Sequence, residues 1–162
     1  MRKKDFFEGN YEFILSKIVD NYMNWYSYSN HAEENDAFEI ICILEELRGF
    51  INEGRNYDEV IDVLSYLADL LDDKIEYSLN GYIEEPLELL FILLSEVAIK
   101  DYSYINQVIK IMLKHKNEYL SNMSGNIEYL INKIINSLTP DDIDKYLDSD
   151  LINKLSEIEI EL

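Results

Sequence analysis

Two His, one Cys and 33 Asp plus Glu are the side chains of this 162-residue chain best suited to hold a metal or to act as acid, base or thiol nucleophile. His31 lies in the polar run Asn30-His31-Ala32-Glu33-Glu34, the setting of a surface histidine beside carboxylates. His115 follows Ile111 and Met112 at the edge of an apolar face, the place of a satisfied, half-buried histidine. A helical di-metal carboxylate site requires Glu-x-x-His pairs, and neither histidine has Glu three residues before it. His-Glu-x-x-His, Gly-rich phosphate loops and Cys-x-x-Cys are also absent. The pairs Asp72-Asp73, Glu84-Glu85 and Asp141-Asp142 lack the alternating oxygens and central Gly of a Ca²⁺ loop. The expectation is a protein that is not an enzyme, with no catalytic residue, metal or cofactor.

Cys42 falls in the apolar run Ile40-Ile41-Cys42-Ile43-Leu44. It is expected to be a buried thiol, and a single cysteine excludes an internal disulfide, which suits a reducing cytosol. The start, Met1-Arg2-Lys3-Lys4-Asp5, is basic but is followed by Glu8, Asn10 and Glu12 rather than by an apolar signal core. The longest apolar-rich stretch, 86–99, contains Glu88, Ser95 and Glu96, short of the roughly 18 apolar residues of a membrane helix. These features predict a cytoplasmic protein with no membrane partner.

The carboxylates carry the strongest signal. The formal net charge is −19, which excludes direct nucleic-acid or anionic-lipid binding through the general field. The excess is segregated. Residues 31–99 hold 18 acids against three bases and residues 139–162 hold eight against two, while 1–30 are balanced and 100–138 are slightly basic. At about 100° per residue, Asp58, Asp62, Tyr66, Asp69, Asp72, Asp73 and Glu76 share about one third of one helix circumference. Val60, Val63, Leu64, Leu67, Leu70, Leu71 and Ile75 occupy the rest. Glu39, Glu46 and Glu53 recur at seven-residue intervals on the preceding segment, with Glu45 nearby, and Glu84 and Glu85 follow.

Helices must position these groups. Apolar residues recur every three or four positions and only five Gly and two Pro interrupt them, which predicts an all-α chain. Helices are expected at about 5–28, 36–53, 57–79, 84–99, 101–120, 125–138, 140–147 and 149–159. Asp36 and Asn56 are candidate N-caps, Glu53-Gly54 and Asn80-Gly81 candidate stops, and Thr139-Pro140-Asp141-Asp142 the clearest start. Helix 5–28 spaces Phe7, Tyr11, Ile14, Ile18, Tyr22 and Trp25 as core. Helix 84–99 is apolar around most of its circumference, with a polar strip at Glu84, Glu88 and Ser95, and is expected to be central and buried. The chain reads as a single domain over 1–162, with 139–162 a C-terminal helical cap that packs through Leu151, Ile152, Leu155 and Ile158.

Short connections after 53 and 99 predict antiparallel hairpins. An offset of about 47 residues sets Ile40, Ile43, Leu44, Leu47 and Phe50 against Leu87, Leu90, Phe91, Leu94 and Val97. A second offset of about 40 brings in Ile127, Leu130, Ile131 and Ile134. Such periods fit hairpins stacked as a short HEAT/armadillo-like α-solenoid, and any set of amphipathic helices in a compact irregular bundle fits them as well.

A solvated acidic face keeps a protein soluble, but solubility needs a net charge of only about 2 to 8 and no segregation. The confined charge is therefore read as a face for a basic protein partner, with Tyr57, Tyr66, Tyr77 and Tyr82 as aromatic anchors. Over residues 36–138, in particular Phe38-Glu39-Ile40-Ile41-Cys42-Ile43-Leu44-Glu45-Glu46-Leu47 and Tyr57-Asp58-Glu59-Val60-Ile61-Asp62-Val63-Leu64, the chain resembles the acidic all-helical immunity proteins of bacterial polymorphic-toxin and contact-dependent inhibition systems. The resemblance implies stoichiometric neutralisation of a cognate toxin domain, a nuclease being favoured. Two other classes use the same sequence features: a DNA-mimic inhibitor or regulator, with its carboxylates in two phosphate-like rows, and a helical-repeat adaptor that binds a peptide or protein through Tyr residues and Trp25.

Overall fold

The computed structural model describes the backbone of residues 30–54, 56–75, 84–116, 121–158, 160 and 162, and within these the side chains of 40–54, 56–69, 85–116, 126–158, 160 and 162. The expected helix 5–28, with Trp25, lies outside the described residues, as do Glu76, Tyr77, Asn80-Gly81 and Tyr82. Among the described residues the chain is all-helical, with seven α-helices, one 3₁₀ turn and no strand: α1 (Asn30–Glu53), α2 (Tyr57–Ile75), α3 (Glu84–Lys100), the turn Tyr102–Tyr104, α4 (Ile105–Lys114), α5 (Ser121–Asn136), α6 (Pro140–Tyr146) and α7 (Ser149–Glu157). The chain divides into two compact units, Met1–Leu93 and Leu94–Leu162.

In the first unit α1 begins at Asn30, six residues before the expected cap Asp36, which becomes an interior helical residue. The run from Asn30 to Asp36 contains Ala32, Glu33 and Glu34 and neither Gly nor Pro, so nothing stops the helix from extending through the polar stretch and taking His31 into its first turn. Ile40, Ile43, Leu44, Leu47, Phe50 and Ile51 form its buried stripe. Cys42 is exposed, contrary to the buried thiol expected from its apolar neighbours. Two residues past Ile40 is about 200° round the helix, so the apolar run is longer than the apolar face and Cys42 falls on the outer side.

α1 stops at a turn built from two left-handed residues. Gly54 has φ +71° and Asn56 φ +60°, conformations that Gly adopts freely and Asn tolerates. The Gly54 N–H donates to the Ile51 carbonyl at 3.0 Å, and the Asn56 carbonyl accepts the first bond of α2, from the Val60 N–H, at 2.9 Å. The Tyr57 hydroxyl reaches back to the same Ile51 carbonyl at 3.3 Å. α1 and α2 pack against each other across this turn, and α2 buries Val60, Ile61, Val63, Leu64, Leu67 and Ala68.

α3 buries Leu87, Leu90, Phe91, Leu93, Leu94, Val97 and Ala98. Its polar strip departs from expectation: Ser95 is 1% exposed and joins the core, while Glu85, Glu88 and Lys100 are exposed and Leu89, Ile92, Glu96 and Ile99 half-buried. The outward arc is thus centred on Glu85 and Glu96, and Ser95 sits just inside its edge, where a small side chain fits.

The expected single helix 101–120 is broken in the second unit. Asp101 caps the 3₁₀ turn, its Oδ1 accepting from the Ser103 N–H at 3.0 Å and from the Ser103 hydroxyl at 2.7 Å, and α4 starts only at Ile105. This is the competition that Asp and Ser side chains offer to helical bonding. The Tyr102 hydroxyl donates to the Ser137 carbonyl at the end of α5, 2.8 Å away, and its ring meets Tyr146 edge-on at 5.7 Å. α4 packs against α5, burying Ile105, Val108, Ile109 and Met112 against a stripe of Ile127, Leu130, Ile131, Ile134 and Ile135. His115, at the α4 C-cap, is 2% exposed and so deeper than the half-buried position expected of it. α5 starts at Ser121, four residues earlier than its expected start, with Gly125 inside it.

The last two helices are fixed by polar contacts with α4. Asn106 donates from Nδ2 to the Tyr146 carbonyl and accepts the Asp148 N–H on Oδ1 at 2.9 Å. Asp148 is the N-cap of α7, but its carboxylate pairs with Lys110 at 3.2 Å instead of capping the helix. Leu147, Leu151, Leu155 and Ile160 are buried. Thr139 caps α6 as its sequence predicts, in a reciprocal box: Thr139 Oγ1 accepts from the Asp142 N–H at 3.2 Å and Asp142 Oδ2 accepts from the Thr139 N–H at 3.0 Å. These bonds, that from the Thr139 backbone first, hold the Asp142 carboxyl below its ordinary value of 3.8.

Candidate partner-binding face

α2 positions the acidic groups through the burial of its other side. With Val60, Leu64, Leu67 and Ala68 in the core, Asp58, Asp62 and Tyr66 are exposed on the opposite arc and Asp69 is half-buried beside them. These four are brought together on one helix face at spacings of three and four residues. Tyr66 is a large apolar side chain left 38% exposed in the middle of this row. Asp72 and Asp73 continue the same arc of the backbone with side chains outside the described set, and Glu76 lies outside the described residues.

The other predicted acids occupy separate elements. On α1, Glu53 is exposed and Glu46 half-buried, and the Glu39 side chain lies outside the described set. Glu85 is exposed on α3, next to Glu84, whose side chain is again outside it. Glu45 is a paired charge: Arg48 Nη1 lies 3.3 Å from both of its carboxylate oxygens, a local i,i+3 interaction legible from the spacing. Two groups escaped the sequence reading. Glu59 is exposed in the first turn of α2, where it and Asp58 meet the positive end of the helix dipole. Cys42 shares the outward arc of α1 with Glu46 and Glu53, within about 40° of each.

Electrostatically, Asp58 and Asp62 stand one turn apart, an arrangement that costs an isolated helix about 0.2–0.5 kcal/mol. Among the described residues no cation pairs with either of them. A row of this kind can accept hydrogen bonds from guanidinium and ammonium groups, and the Tyr66 ring offers a face for a cation. Among the described residues no group of three or more His, Cys, Asp or Glu could hold a metal ion, and no described helix is long and apolar enough to cross a membrane. No protein-family model, curated protein or solved structure matches this chain.

Proposed function

We propose that this chain is a non-enzymatic, cytoplasmic binding protein that neutralises a cognate bacterial toxin, a nuclease in the favoured case, by covering its basic surface with the acidic face of α2. One observation carries the reading: Asp58, Asp62 and Tyr66 are all exposed on a single arc, with no cation paired to either Asp among the described residues. Arg and Lys that hold phosphates in a nuclease cleft are the natural counter-groups for such an arc. Complementary charge raises association rates toward about 10⁸–10⁹ M⁻¹s⁻¹ at low salt, which suits an inhibitor that must capture its target before damage is done. Tyr66, partly desolvated already, becomes the anchor and the carboxylates steer it into place. In this reading α1 and α2 form one antiparallel hairpin of a short HEAT- or armadillo-like stack, and residues 139–162 cap its end.

The test is capture of the tagged full chain from its native cell, with bound protein identified by mass spectrometry and then co-expressed with the chain. The expected result is one basic protein, retained stoichiometrically, whose toxicity the wild-type chain relieves and Asp58→Lys/Asp62→Lys does not. Equal retention and equal relief by the double variant would place the interface elsewhere.

A further inference from the structure

We draw no further inference here: the strongest candidate, the open depression that Tyr129, Asn132, Lys133 and Asn136 of α5 line with Ile99 and Ser137, carries nothing because nothing in the structure shows what covers it.

Discussion

On α2, Asp58 and Asp62 stand one turn apart with no cation paired to them among the described residues, whereas in the second unit Asp148 holds Lys110 of α4 at 3.2 Å and Glu128 of α5 holds Lys116 at 2.6 Å. The second unit uses polar groups to join elements distant in sequence: Asn106 reaches the Tyr146 carbonyl and the Asp148 N–H, 40 and 42 residues away. α2 repeats like charge along one face, and among the described residues Asp58 and Asp62 join it to no other element. The contrast separates carboxylates that hold the fold from carboxylates that the fold only displays. Substitution should therefore act with opposite sign in the two places.

The largest effect is expected at Asn106. Replacing it with Ala removes two bonds at once, a part-buried one to the Tyr146 carbonyl and an exposed one from the Asp148 N–H, each with a net contribution of about 0.5–1.5 kcal/mol. A lower urea midpoint with unchanged partner binding is expected. Next is Gly54→Ala. The site has room, the nearest atom to an added Cβ being the Tyr57 hydroxyl at 3.8 Å, so φ +71° alone sets the penalty, about 1–2 kcal/mol for an L-residue in the left-handed region. That loss should appear in the thermal midpoint.

The α6 cap gives a third, smaller effect with a definite pH dependence. Thr139→Ala should cost about 1 kcal/mol. Asp142 has a folded-state pKa below its ordinary 3.8, so its contribution is fully present above that value and is lost as the pH falls through the folded pKa. The stability gap between wild type and Asp142→Asn should therefore be constant near neutrality and narrow below about pH 4. The smallest effect carries the reversed sign. Asp62→Asn removes the i,i+4 repulsion while leaving Asp58 at the positive end of the helix dipole, and should raise stability by about 0.2–0.5 kcal/mol. A clear destabilisation by Asp62→Asn would erase the contrast between the two regions.

The parts of this architecture legible in the sequence are those that depend on local chemistry and periodicity. The buried stripes of α1, α2, α4 and α5 follow from three- and four-residue spacing, Gly54 from the need for a left-handed residue, and the Thr139 box from four consecutive residues. The departures have two physical origins. Where a run of one residue class outlasts a helix face, register decides, as for exposed Cys42 and buried Ser95. Where a bond spans tens of residues, no window contains it, as for Asn106 and Lys110. Within the acidic face, the exposure of Asp58, Asp62 and Tyr66 was written in the helical period, while the neutralisation of Glu45 by Arg48 required reading the charges as pairs rather than as a sum.

The most direct measurement is the association rate constant between the captured partner and the chain, for wild type and Asp58→Asn/Asp62→Asn/Asp69→Asn, at ionic strengths from about 0.02 to 0.5 M. A steered encounter predicts a wild-type rate that falls by about tenfold or more with salt, a variant rate that starts lower and falls less steeply, and convergence of the two at high salt. The same rate and the same salt slope for both proteins would contradict the assignment of the α2 carboxylates to partner capture.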